Sequence, residues 1–404
     1  MKVMTVLGIR PDFIRMSEVI RRLDAARNVD HVLVHTGQHY SHNMDGIFFE
    51  ELKLRSPDSN LGVGSGSHAE QVGRGLIEVE RVIVKVGPDL CLYLGDTNTA
   101  VTAISAAKCN VKVARVEGGM RSFDWRMPEE KNRVIVDHLA DYLYAYTHRY
   151  KENLLLEGIP GHKVIVVGNP IVDIVALYRE RAAQESTLLP RLGLAPGRFI
   201  LVTLHREENI DNPDVLGELV RALAEVSFRL DMPVYYPMSY RTDKRLREFD
   251  LTLSDRVIVS EPVGFIDFLN AEAQAALIVT DSGTVQEEAS ILRVPCVVPR
   301  LSTERPETIE CGGCVLAGNR AEDIVAASLE VVGRSRTWEH RLGDGRASER
   351  IVADLCAREA EIVDKRFYPP LVDRRRQDAY SPYINPLRVV GGVRPIGEPE
   401  PEGD

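Results

Sequence analysis

No stretch of the 404-residue chain approaches the roughly 18 uninterrupted apolar residues that a membrane-crossing helix needs, and this argues against an integral membrane protein. The opening Met1-Lys-Val-Met-Thr-Val-Leu7 is too short for a secretory signal, so the expected location is the cytoplasm. Basic excess is missing too. With 50 Lys and Arg against 60 Asp and Glu, the net charge is −10 and the isoelectric point near 5.6. A nucleic-acid partner needs a basic face and is excluded, whereas a small phosphate ligand is not. The six cysteines are scattered, mostly in apolar runs, and read as buried free thiols. Cys311-Gly-Gly-Cys314 has metal or redox spacing, but no second pair and no histidine cluster accompanies it. It reads as a glycine turn, and no metal is expected.

What the chain has is apolar residue enough, at 44%, for two cores of ordinary size. Short apolar runs recur at Val3–Gly8, His31–Val34, Asp89–Gly95, Val111–Val116, Tyr142–Tyr146 and Lys163–Val167. The second half repeats the plan at Phe199–Thr203, Val234–Pro237, Arg256–Val259, Ala276–Thr280 and Cys296–Pro299. Helical patterns alternate with them, from Pro11, over Asn43–Leu54 and Ala69–Val86, into Asn132–Ala140, and over Pro213–Phe228 and Glu349–Lys365. Such alternation predicts an α/β protein of two Rossmann-like, doubly wound domains. The charged segment Arg179–Pro196, with its two prolines, marks their junction. The expected division is a first domain over 1–175, a second over 176–367 and an extension over 368–404 that is flexible at its end.

In open parallel sheets ligands bind at the carboxyl edge of the strands, and chemistry-bearing residues gather there. Glu117-Gly-Gly-Met-Arg121 leaves the run Val111–Val116 and leads through Pro128-Glu-Glu130 into a helix. Glu117, Glu129 and Glu130 are thus candidate acid/base groups, with glycines that let backbone approach a ligand. Asp96 leaves the neighbouring run at the same edge. Arg10 and Pro11 follow the first strand, where free helix N–H groups and a guanidinium suit a phosphate or carboxylate. His205 follows Phe199–Thr203. Ser282 and Gly283 open a helix after Ala276–Thr280, with Glu288 placed to accept from a ribose hydroxyl. A capped helix with solvated glutamates is the plain alternative there.

The set Gly8-x-Arg-Pro11, Thr36-Gly-Gln-His39, Gly95-Asp-Thr97, Glu117–Arg121 with Pro128-Glu-Glu-x-Asn-Arg133, Leu204-His-Arg-Glu-Glu-Asn209, Asp281-Ser-Gly-x-x-Gln-Glu-Glu-Ala289 and Glu304-Arg-Pro-Glu307 resembles the non-hydrolysing UDP-N-acetylglucosamine 2-epimerases. The resemblance covers about residues 1 to 365. It implies a glycosyltransferase-B-like pair of domains facing a cleft, a UDP-sugar substrate, no metal, no cofactor and a homodimer. It also implies the chemistry: abstraction of the sugar C2 proton, anti elimination of UDP to a 2-acetamidoglucal, and re-addition with C2 protonated on the other face.

Carried over residue by residue, the resemblance makes Asp96, Glu117 and Glu129 the acid/base carboxylates and His205 a catalytic contact to diphosphate or sugar. Arg10, Arg15, Phe268, Ser282, Gly283, Thr284, Glu288 and Arg305 become substrate contacts, with Phe268 in the uracil pocket and Arg305 near the sugar. Gln38 and His39 fall in the motif of a regulatory site. The chain departs from the family pattern at Asp12, Arg15, Arg115, Gly118, Met120, Ser239-Tyr240, Val263 and Thr284. Related epimerases of 6-deoxy or diacetamido-uronic UDP-sugars share the Ser122–Glu130 pattern. A hydrolysing epimerase, and a glycosyltransferase or sugar-nucleotide regulator on the same fold, are the readings of other classes.

Overall fold

The computed structural model describes residues 1–37 and 49–364. The expected helix over Asn43–Leu54 lies partly outside these residues, and Gln38, His39 and the extension from 368 lie wholly outside them.

The first sheet has seven parallel strands: β1 (Lys2–Leu7), β2 (Asp30–His35), β3 (Ser59–Asn60), β4 (Leu90–Leu94), β5 (Lys112–Val116), β6 (Tyr142–Ala145) and β7 (Val164–Val166). Their order is β3-β2-β1-β4-β5-β6-β7, so chain direction across the sheet reverses between β1 and β4. The second sheet comprises β8 (Ile200–Thr203), β9 (Val234–Pro237), β10 (Val257–Ser260), β11 (Leu277–Thr280), β12 (Cys296–Val298) and β13 (Cys314–Leu316). Its order is β10-β9-β8-β11-β12-β13, with the same reversal between β8 and β11. Every pairing is parallel, and both sheets are covered on both faces, as strands of continuous apolar sequence require. Along β8 the two-residue period sorts side chains cleanly. Leu201 joins a core shared with the first half, while Ile200 and Val202 fill a second core on the far face.

Prolines open the helices Arg10–Ala25, Pro128–Leu139, Pro170–Glu185 and Pro213–Leu230, where their missing N–H costs nothing. The strand β13 was not expected: Cys311-Gly-Gly-Cys314 is indeed a turn, with Gly312 at φ +88°, but it delivers Cys314 into the sheet edge. Cys91, Cys296 and Cys314 are buried, whereas Cys109, Cys311 and Cys356 are half-buried. The expected helix Glu349–Lys365 is broken. It runs Ala347–Ala357 and resumes as Glu359–Val363, with both pieces packed on the first half. There Asp173 accepts from the N–H groups of Ala347 (3.1 Å) and Ser348 (2.7 Å), and Tyr144 donates to Asp354 at 2.9 Å. The segment Arg179–Glu185 continues the helix begun at Pro170, which packs against elements of both halves. No helix among the described residues is long and apolar enough to cross a membrane.

Candidate active site

A cleft of about 1060 Å³ opens between the carboxyl edges of the two sheets. Arg15, Asp96, Glu117 and Glu129 line it from the first half, and His205, Ser282, Gly283, Thr284 and Arg305 from the second. Arg10 is half-buried between two cleft residues, Ile9 and Pro11. Phe268 packs against the core, and Glu288 is buried beside Glu272 behind the cleft wall.

Glu117 is the first residue beyond β5. It takes a left-handed backbone, φ +74°, which few non-glycine residues adopt, and is 1% exposed. Its neighbours fix it. The N–H groups of Glu117 and Gly118 both donate to the Tyr144 carbonyl, and Gly119 donates to Asp137 at 3.1 Å. A Cβ on Gly119 would stand 2.1 Å from the Tyr150 carbonyl oxygen, so only glycine lets the loop lie here. Behind the loop Asp137 is held by Arg115 (3.1 Å) and Arg121 (2.7 Å). The Glu117 carboxylate receives Arg15 Nη1 at 2.5 Å and faces Arg305 Nη2 at 3.7 Å.

The three glutamates of this stretch have different tasks. Glu130 accepts from Ser122 N (3.0 Å), Ser122 Oγ (3.1 Å), Phe123 N (2.9 Å) and Arg133 Nη1 (2.6 Å). It is a loop anchor. Glu129, one residue earlier, faces the cleft. Glu129→Gln is therefore expected to lower turnover roughly a hundredfold with stability equal to or above the parent's. Glu130→Gln should instead cost about 1–3 kcal/mol of stability, because buried donors lose their acceptor. Urea titration beside initial-rate assays separates the two.

Burial, and then the neighbouring Asp96 charge, push Glu129 above the usual carboxylate range. Burial is the largest influence on Asp96 and would raise it, but Arg133, reaching its Oδ2 with Nε (2.9 Å) and Nη2 (2.5 Å), together with Arg206 and Arg305, outweighs it and holds Asp96 low. One wall thus carries a carboxylate kept ionised beside a carboxyl biased toward its proton. Environments that separate two acids in this way assign a base and an acid. Asp12 behind them is raised to about 6 by burial, against the pull of Arg15. A carboxyl whose folded value lies above its unfolded one loses stability as pH climbs between the two. Asp12→Asn should therefore match the parent below pH ~4 and exceed it by up to ~3 kcal/mol above pH ~6. Denaturant unfolding at the two pH values is the check.

Opposite stands the start of the helix Gly283–Leu292. Ser282 caps it, accepting from Val285 N at 3.5 Å, and the Arg305 guanidinium lies so close over Gly283 that a Cβ there would stand 2.2 Å from its central carbon. His205 is half-exposed beside this helix start, and its loop is pinned by Asp281, which accepts from His205 N (3.0 Å), Arg206 N (3.0 Å) and Asn209 Nδ2 (3.1 Å). Glu304 gathers the cations: Arg300 Nη1 at 3.0 Å, Arg206 Nη2 at 3.1 Å, Arg133 Nη2 at 3.9 Å, and Arg305. Burial alone would raise Glu304, yet these guanidiniums hold it well below the usual range. Asp12, Arg133, Asp281 and Glu304 carry no role in the reading from sequence. All lie in or beside the recognised motifs, but their partners are far along the chain. No group of three or more His, Cys, Asp or Glu side chains among the described residues is placed to hold a metal ion.

This donor set can move a proton at a carbon beside an anionic leaving group. Guanidiniums and free helix N–H groups offer charge stabilisation, and carboxylates of opposed proton affinity face them. Comparison with known proteins agrees. A sequence model of the UDP-N-acetylglucosamine 2-epimerase family matches residues 21–356. The chain is 44% identical over 362 residues to the UDP-N-acetylglucosamine 2-epimerase of Methanocaldococcus jannaschii, covering 88% of this chain and 99% of that one. It is 38% identical over 360 residues to the UDP-2,3-diacetamido-2,3-dideoxy-D-glucuronate 2-epimerase of Pseudomonas aeruginosa, again covering 88% and 99%. The crystal structure of the M. jannaschii enzyme in complex with UDP-GlcNAc and UDP superposes with a TM-score of 0.85, covering 88% of this chain and all of that one. The protein belongs to the UDP-N-acetylglucosamine 2-epimerase family, a family of isomerases on the glycosyltransferase-B-like fold.

Proposed function

We propose that the protein interconverts UDP-N-acetylglucosamine and UDP-N-acetylmannosamine without a metal or nicotinamide, as a cytoplasmic homodimer. The observation that carries this reading is the pairing of carboxylates on one wall, Asp96, Glu117 and Glu129, with the capped helix start Ser282–Thr284, His205 and Arg305 on the other. A base takes the C2 proton, and the C1–O bond breaks as UDP leaves anti, giving 2-acetamidoglucal. UDP then re-adds at C1 while an acid protonates C2 from the opposite face. Asp96, held ionised, and Glu117, gripped by Arg15 and faced by Arg305, suit proton abstraction, and Glu129, biased to its proton, suits proton delivery. The helix N-terminus, Arg15 and Arg305 receive the charge that builds on the departing diphosphate. Phe268, Glu288 and Arg10 are assigned to the nucleotide half of the substrate by the family likeness. The two sheets are taken as the cores of two domains.

The Pseudomonas relative favours a second reading, the same reaction on a diacetamido-uronic UDP-sugar. Proton NMR of the protein with UDP-GlcNAc in D2O decides. New UDP-ManNAc signals with loss of the C2 proton support the first reading. Turnover of only the uronic or 6-deoxy sugar supports the second. Free UDP with free sugar would move the protein to the hydrolysing class, and failure on every UDP-2-acetamido sugar would overturn both readings.

A further inference from the structure

Tyr146 leaves β6 at the sheet edge where Glu117 leaves the neighbouring β5, with Val116 and Tyr144 in register. Its ring is buried, tilted against Tyr150 with centroids 6.1 Å apart, and its hydroxyl has no hydrogen-bond partner among the described residues. Four charged groups act on it. They are Glu117, Arg15 of the helix Arg10–Ala25, Glu287 of the helix Gly283–Leu292, and Arg305. A buried hydroxyl without a partner is destabilising, and phenylalanine would fill the same space without that cost. Packing therefore gives no reason for the oxygen.

The surroundings of Glu117 do give one. Its carboxylate is held by Arg15 and faced by Arg305, and both guanidiniums line the cleft. A diphosphate arriving at Ser282–Gly283 competes for these two cations. Each one that turns to phosphate is lost to Glu117, and a buried carboxylate stripped of its partner either takes up a proton or shifts. We propose that Tyr146 is a positioning residue for Glu117, its O–H donating to the carboxylate as the diphosphate draws Arg15 and Arg305 away, so that Glu117 stays ionised and aimed at the sugar. Burial and then the Glu117 charge push the phenol well above its ordinary range, so it remains a donor throughout. The assignment rests on the epimerase reading of the site.

The test is Tyr146→Phe, which removes one oxygen. Isothermal titration with UDP at one pH in two buffers of different ionisation enthalpy counts protons taken up on binding. The variant should take up more than the parent, since Glu117 without its donor accepts a proton, while UDP affinity stays within a few-fold. In the epimerisation assay the acid limb of the kcat profile, which reports the substrate complex, should move to higher pH, and kcat should fall roughly tenfold, the scale of one hydrogen bond, with KM little changed. The thermal midpoint should be unchanged or raised. Equal proton uptake and an unmoved pH profile would overturn the proposal, whether or not stability fell. If the parent epimerises no UDP-2-acetamido sugar the functional reading fails, and proton uptake still decides the role of Tyr146.

Discussion

Replacing Glu117 with glutamine should cut epimerisation at least roughly a hundredfold, the usual scale for loss of a general acid or base, while UDP still binds. The side chain keeps its length, and the loop keeps its shape because Tyr144, Asp137 and the glycines hold it through the backbone. Charge is what changes. Arg15 loses its 2.5 Å partner but retains Asp12 at 3.2 Å, so the fold should survive with an altered site. Asp96→Asn should behave alike, because Arg133 keeps Glu130 at 2.6 Å. Measuring kcat by coupled assay and UDP affinity by titration separates chemistry from binding. Near-parental rates in both variants would remove these carboxylates from the mechanism.

The largest effect on stability should come from Glu304→Gln. Glu304 is fully buried and faces Arg133 of the first half and Arg206, Arg300 and Arg305 of the second. Removing its charge leaves guanidiniums converging on a neutral amide, and breaking a buried ion pair from one side costs about 3–5 kcal/mol. The Glu304 carbonyl also accepts from the Tyr150 hydroxyl at 3.2 Å, so the same residue joins the halves through its backbone. Loosening should therefore reach the cleft as well as the core. Guanidinium unfolding reads the stability, and the KM for UDP-sugar reads the cleft. A loss below about 1 kcal/mol would mean that the arginines find other partners, and that the cluster behaves like a surface one.

The second carboxyl pair behind the cleft behaves differently. Burial, then the approach of Glu288, keep Glu272 well above the usual carboxylate range, and Glu288 is pushed to about 8. The one cation acting on this pair among the described residues is Arg15, which pulls Glu288 down, whereas Glu304 has several. Spacing along the chain distinguishes none of this, for both glutamates of Gln286-Glu-Glu288 read alike as letters.

The sequence by itself determined the architecture and the address of the site. Runs such as Leu90–Leu94 and Tyr142–Ala145 are buried along their length, so their apolar continuity could only mean parallel strands covered on both faces, and parallel strands fix the ligand edge. Proline at the helix starts and glycine at the turns carried their own backbone constraint, and placed Glu117, Asp96 and Ser282 at that edge. Only the tertiary structure decided what each charge does there. Asp96 and Arg133 stand 37 residues apart, Arg15 and Glu117 102, and Arg206 and Glu304 98, so each pairing depends on distant strands and helices folding onto one edge of the same sheet. Tertiary packing likewise separated Glu129 from Glu130, returned Ala347–Val363 to the first half, and left the Tyr146 hydroxyl without a partner among the described residues. Local propensity acts over a few residues, whereas an ion's burial and partner are set by everything packed around it.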